Sequence, residues 1–248
     1  MASIIITGAR PGVGRATAQA FIDAGWDVGL VGRREAPLTQ TKGDSTALAL
    51  PCDVTDEAAV DAAFGKALDT WGRIDVLFNN AGVSLKGAPI DELAVDDIRY
   101  LLDVNIMGAV IVARAAFGIM RKQDPQGGRI INNGSISAHV PRPSSIAYAA
   151  SKAAVTGLTR GAALDGRPFN ISVGPIDVGH VARAITEKMA SGVLQADGSV
   201  RAEARMDMSS VAKTFMAMVN LPLDANIFQV TVMATGMPYV GRGSTIFF

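Results

Sequence analysis

Ser3-Ile4-Ile5-Ile6-Thr7-Gly8-Ala9-Arg10-Pro11-Gly12-Val13-Gly14-Arg15-Ala16-Thr17-Ala18-Gln19-Ala20-Phe21 carries three local signals in one run. Residues 3–7 are apolar and β-branched, as a buried parallel strand requires. Three glycines follow, and a helix-forming stretch begins at Gly14. Strand, glycine turn and helix in that order is the context in which backbone approaches a dinucleotide pyrophosphate closely. The helix N-terminus there offers free N–H groups and a partial positive charge. The spacing is Gly-x-x-x-Gly-x-Gly, which departs from the Gly-x-Gly-x-x-Gly fingerprint, and a plain tight turn is the bland alternative. Gly8, Arg10, Gly12, Val13 and Gly14 are the candidate phosphate contacts.

The same rhythm continues outward. Strand-like runs at Asp27–Val31, Ala47–Pro51, Asp75–Asn79, Gly128–Asn133 and Ile171–Gly174 alternate with helix-like segments at Asp56–Trp71, Ala94–Lys122 and Ala147–Leu164. Val230–Met233 reads as one more strand. Strands alternating with helices predict a doubly wound parallel sheet with helices on both faces, an α/β domain spanning residues 1–248. The second strand ends at Gly32-Arg33-Arg34. An acidic residue at that place binds an adenosine ribose and favours NAD, whereas an arginine accommodates the 2′-phosphate of NADP. Arg33 and Arg34 therefore favour NADP(H), with NAD(H) possible and a solvated basic turn as the bland reading.

Composition narrows the function classes. Apolar residues make up 49% and charged residues 19%, and the formal net charge is zero. That balance gives no electrostatic footprint for nucleic acid, and an aromatic content of 6% gives no stacking platform for single strands. The apolar stretches read as shorter than the ~18 residues of a membrane span. The first strand starts at Ser3, with no room for a leader, so a cytoplasmic location is expected. A lone Cys52 fits a reducing compartment and reads as a packed thiol. With His139 and His180 the only histidines, no metal site is expected.

Tyr148 and Lys152 stand four apart in Ala147-Tyr148-Ala149-Ala150-Ser151-Lys152, with Ser135 thirteen residues upstream. On a helix, positions i and i+4 share a face, which puts the Lys152 ammonium beside the Tyr148 phenol. A positive charge there stabilises the oxyanion left when the phenol gives up its proton. Ser135 would hold a carbonyl or alcohol oxygen against that phenol. Tyr-x-x-x-Lys alone is a weak signal.

With these residues in place, the chain resembles the classical short-chain dehydrogenase/reductase family from Ile4 to about Gly241. Thr7-Gly8-x-x-x-Gly12-x-Gly14 is similar to the family's cofactor turn. Asp53-Val54 matches its Asp-Val after the third strand, Asn79-Asn80-Ala81-Gly82 its signature after the fourth, and Val104-Asn105 its helix asparagine. The resemblance implies a single-domain Rossmann-type fold, a mobile substrate flap at about 180–210, and a small carbonyl or alcohol substrate. It further implies a tetrad of Asn105, Ser135, Tyr148 and Lys152. Tyr148 would be the general acid in reduction and the base in oxidation. Lys152 would tune it and hold the nicotinamide ribose, Ser135 would orient the substrate oxygen, and Asn105 would hold a water through its backbone. Asp53 would meet the adenine amino group. Gly179 and Val181 match the family's nicotinamide turn. Homodimers or homotetramers built on the long helices are implied, with Ile246-Phe247-Phe248 suited to burial at an interface.

Two departures stand out. The family usually reads Asn-Ser-Ser or Ile-Ser-Ser before the tetrad, whereas this chain reads Asn132-Asn133-Gly134-Ser135-Ile136-Ser137. Its Pro-Gly turn appears as Ile176-Asp177-Val178-Gly179-His180-Val181, and Arg183 replaces a common threonine. Between Ser135 and Tyr148 lie His139, Arg142 and Pro143, beside the expected pocket. Arg142 is read as a solvated loop arginine, with recognition of an acidic substrate as the alternative. The flap, with Ile185, Glu187, Lys188, Met189, Val193 and Leu194, reads either as an apolar pocket wall with an ionic rim or as an amphipathic helix. The expected activity is hydride transfer between NADP(H) and a ketone or secondary alcohol. The alternatives are the same chemistry with NAD, or a nucleotide-sensing scaffold, which would be expected to lack a tetrad residue.

Overall fold

The computed structural model describes residues 1–182, 192–195 and 197–239. The expectations placed on Arg183, on Ile185, Glu187, Lys188 and Met189, and on Ile246-Phe247-Phe248 lie outside the described residues.

The chain begins with β1 (Ser3–Thr7), α1 (Val13–Asp23), β2 (Asp27–Gly32), α2 (Glu35–Lys42) and β3 (Leu48–Pro51). It continues through α3 (Glu57–Trp71), β4 (Val76–Asn79), α4 (Val95–Leu102), α5 (Gly108–Lys122), β5 (Gly128–Asn133) and α6 (Ile146–Gly166). β6 (Ile171–Val178), a short hairpin of β7 (Val193–Leu194) and β8 (Val200–Arg201), α7 (Met208–Val219) and β9 (Val230–Val232) follow among the described residues. Seven strands form one sheet in the order β3-β2-β1-β4-β5-β6-β9. Every neighbouring pair is parallel. This is the doubly wound α/β sheet expected from the alternating pattern.

Side-chain alternation along β1 divides the core. Ile4 and Ile6 join a cluster with Phe21, Leu38, Val211 and Phe215 beneath α1, α2 and α7. Ile5 faces the other way, into Val60, Phe64, Val112, Ala116 and Met120 of α3 and α5. Period-2 alternation thus feeds two apolar layers, which is why the strand is fully buried. Phe215 stacks edge-on to Phe21 at 5.6 Å and lies 4.3 Å from Phe78, locking α7 onto α1 and the sheet.

α4 and α5 are continuous through a wide π turn at Asp103–Met107. The combined run, Val95–Lys122, is 28 residues long and by length and hydropathy alone could cross a bilayer. The sequence reading placed one helix-like segment here, at Ala94–Lys122, and Asp103 and Arg114 interrupt its apolar residues without breaking the helix. Here Leu101, Val112, Ala116 and Met120 bury one face of it.

Three elements went unseen in the sequence. α2 and α7 were not anticipated, and Val193–Leu194 pairs antiparallel with Val200–Arg201 inside the stretch read as irregular with helical content. β6 also runs four residues further than expected, to Val178, which places Asp177 on the sheet.

Candidate active site

The strand order reverses between β1 and β4, and a crevice opens beyond the carboxyl ends of the strands at that point, where doubly wound sheets bind nucleotides. Thr7, wholly buried at the end of β1, accepts hydrogen bonds at its hydroxyl from the Asn80 and Ala81 amides, both at 2.9 Å. The Asn80 side chain donates back to the Thr7 carbonyl at 2.8 Å. Those bonds fix the Asn79-Asn80-Ala81-Gly82 signature against the glycine turn. At Gly14, a Cβ would collide with the Gly8 carbonyl, so the turn closes only with glycine there. Gly12 caps α1 and offers no side chain, which leaves the first helical N–H groups open to an anion.

Two connected cavities share Gly8, Arg10, Gly82 and Val83. The smaller, about 220 Å³, is lined by Arg33, Arg34, Asp53, Val54, Ala81 and Val104. Arg33 and Arg34 are exposed there, and Asp53 is oriented by the Thr55 amide and hydroxyl at 3.1 and 2.9 Å. The larger, about 740 Å³, runs from Gly12, Val13, Gly14 and Asn80 to Ser135, Tyr148, Lys152, Gly179 and Val181. Every residue singled out for cofactor contact lines one of the two. The set fits a dinucleotide: a glycine cradle, an open helix terminus, and a smaller cavity lined by Arg33, Arg34 and Asp53.

Ser135, Tyr148 and Lys152 meet at the larger cavity. Lys152 is 6% exposed and donates from Nζ to the Asn133 carbonyl at 2.7 Å. Its ammonium lies 5.7 Å from the Tyr148 ring centre. Ser135 Oγ accepts from the Ser137 amide at 3.1 Å, which leaves its own proton free to be donated. Asn105, in the π turn and buried, does not line the cavity. Its side chain accepts from Val83 N at 2.8 Å and donates to Val83 O and to Ser151 Oγ, at 3.0 and 3.1 Å. It joins the Gly82 segment to the helix that carries Tyr148 and Lys152.

Arg142 corrects the sequence reading. It is not a solvated loop arginine: it pairs with Glu203, whose side chain is 1% exposed, and sits 2.9 Å from His180 Nδ1. Gln195 also donates to Glu203, at 2.9 Å. Glu203, just past the hairpin, went unnoticed because nothing local marks an acid whose partner Arg142 lies 61 positions away. Cys52 is a packed thiol, 5% exposed, and burial together with Asp53 and Asp56 pushes its pKa up to about 11. Among the described residues no cluster of three metal-ligating side chains occurs.

Residues 2–193 match the model of the short chain dehydrogenase family. Sulfoacetaldehyde reductase 2 of Chromohalobacter salexigens is 32% identical over 240 residues, covering 94% of each chain. Among solved structures, an NAD+-bound xylitol dehydrogenase superposes with a TM-score of 0.84 at 25% identity, covering 94% of this chain and 97% of its own. A 3-ketoacyl-(acyl-carrier-protein) reductase from Brucella melitensis complexed with NADH gives a TM-score of 0.82 at 25% identity, covering 94% and 96%.

Proposed function

Because the chain belongs to the short-chain dehydrogenase family, we propose that it is an NADP(H)-dependent oxidoreductase interconverting a ketone and a secondary alcohol. The observation that carries this reading is the convergence of Ser135, Tyr148 and Lys152 on the cavity that the glycine turn also lines.

A bound nicotinamide supplies the hydride in reduction and takes it up in oxidation. The protein handles the proton and the charge. Ser135, with its oxygen already engaged by the Ser137 amide, donates to the substrate oxygen and stabilises the charge developing on it. Tyr148 delivers its proton to that oxygen in reduction and removes one in oxidation. Lys152 spends one of its three N–H donors on the Asn133 carbonyl, leaving two for the cofactor ribose and the phenol. Asn105 keeps α6 in register with the cofactor loop, and its backbone is assigned a bridging water. Beyond the reacting atoms, the cavity wall includes Leu85, Leu93, Ile146, Val193 and Met208, an apolar lining for the substrate body.

Exposed Tyr100 and Met107 on the long helical run support a homodimer or homotetramer. A cytoplasmic location belongs to the same reading. The NAD-dependent alternative is favoured by the two similar structures, which hold NAD+ and NADH. Fluorescence titration of the protein with NADPH and NADH separates the two, followed by turnover on a panel of ketones and alcohols. Tighter NADH binding replaces the NADP reading, and binding of neither cofactor removes the oxidoreductase reading.

A further inference from the structure

The two departures from the family pattern, Gly134 and Asp177, are forty-three positions apart in sequence and touch in space. A Cβ at position 134 would collide with Asp177 Oδ1, so the carboxylate occupies the space a serine side chain would need. Asp177 is 1% exposed, at the inner end of β6. Its Oδ1 accepts from the Ser135 amide at 3.0 Å, and its Oδ2 lies 2.9 Å from His139 Nε2. A carboxylate only accepts, so this imidazole nitrogen carries the hydrogen and donates. Gly134 N is bound to the Ile176 carbonyl at 2.9 Å, which brings the ends of β5 and β6 together at this point.

We propose that Asp177 is a positioning residue for Ser135, held from the far side by His139 and admitted by Gly134. The inference rests on the reading that Ser135 orients the substrate oxygen. Ser135 follows the last residues of β5, and its extended backbone, φ −165° and ψ 148°, leads into a single short turn at Ile136–Ala138. A hydroxyl at such a junction depends on its own amide for direction. Strand hydrogen bonding ends one residue earlier, and the Asp177 carboxylate takes over as the acceptor. His139 sits at the end of the same turn, so one carboxylate clamps both sides of it. Gly134 and Asp177 form a matched pair: a serine at 134 would displace the carboxylate, and removal of the carboxylate leaves the Ser135 amide buried without an acceptor. Misplacing a reacting group by about 1 Å can cost about 100-fold in rate.

Asp177→Ala and Asp177→Asn decide the matter, with two readouts. Hydrogen exchange followed by mass spectrometry on peptides covering Ile131–His139 reads the anchor itself. The Ala variant should exchange at least 10-fold faster there, with β1 and β4 unchanged, while Asn, which keeps an acceptor, should stay near wild type. In steady-state reduction of the ketone panel, Ala should lower kcat about 10–100-fold with KM for NADPH within 2-fold, and Asn should recover most of the loss. Wild-type exchange in Asp177→Ala, or wild-type kcat in a variant that still binds NADPH, overturns the proposal. If Asp177→Ala does not fold, His139→Ala replaces it: faster exchange over the same peptides supports the clamp, and unchanged exchange overturns it. Absence of wild-type turnover on the whole panel counts against the oxidoreductase reading alone, since the exchange measurement still judges Asp177.

Discussion

Lys152 donates from Nζ to the backbone carbonyl of Asn133 at 2.7 Å, linking α6 to the end of β5. The bond holds the ammonium over the cavity floor and beside the Tyr148 ring, where a mobile lysine would otherwise sample many rotamers. Lys152→Met should lower kcat by about 10²–10⁴ and also weaken NADPH binding, because the proposed function gives the same ammonium both tasks. Tyr148→Phe should cost as much in kcat while leaving the NADPH dissociation constant within about 2-fold. Steady-state kinetics paired with fluorescence titration check the contrast, and equal losses of affinity in both variants would contradict the division of labour.

Arg33 and Arg34 line the smaller cavity beside Asp53. A charge-assisted bond to a phosphate is worth about 1.5–3 kcal/mol, or roughly 10–100-fold in affinity. Arg33→Ala should therefore weaken NADPH binding by about that factor and leave NADH binding unchanged. The slope of NADPH affinity against salt should also fall in the variant. Equal effects on both cofactors would mean that the arginine meets no 2′-phosphate.

Arg129 is a structural cation far from the chemistry. It is 2% exposed and donates to the carbonyls of Leu221, Pro222 and Ala225 at 3.0–3.1 Å and to Ser172 Oγ at 3.1 Å. Burial pulls its pKa below the usual arginine value. Arg129→Met fills the space but strands those acceptors, at a cost of about 3 kcal/mol. For a chain of this size that is a drop in Tm of about 6–12 °C, read by calorimetry, with NADPH affinity retained.

Cys52 gives a pH-dependent prediction. Folding raises its pKa to about 11, so the folded state favours the thiol. The stability this contributes is complete below the unfolded thiol's pKa, near 9, and is lost as the pH rises toward 11. Urea midpoints should fall across that window in the wild type and fall less in Cys52→Ala. Ellman's reagent should react slowly at pH 8 with the folded protein and rapidly in denaturant.

The exposed Tyr100 and Met107 predict a dimer or tetramer. Light scattering should give a mass of at least two chains for the wild type, and Tyr100→Glu with Met107→Glu should reduce it. A monomeric wild type would remove the assembly from the proposal.

How far the sequence could be read follows from the range of the forces involved. β1, the glycine turn and α1 were legible because strand alternation, glycine backbone freedom and helix periodicity act over a few residues. Tyr148 and Lys152 were legible because one helical turn fixes their geometry. α2 was missed because its eight residues, with Pro37 inside, bury only Leu38 and Thr41 and leave little apolar period to detect. α7 was missed for a different reason: Met208, Val211, Ala212 and Phe215 are helical in spacing, but nothing local separates them from a variable flap.

Sequence alone determined the alternating sheet, the glycine turn after β1 and the residue types that line the larger cavity. Tertiary structure decided which polar residues of the loops and strand ends meet. His139 finds Asp177 across 38 positions, and Arg142 finds Glu203 across 61. Residues in loops and at the last turn of a strand carry no period of their own, so their partners are chosen by where the strand ends converge. Once a carboxylate such as Asp177 or Glu203 is buried there, desolvation makes an unpartnered state costly, and the donors that surround it become part of the site.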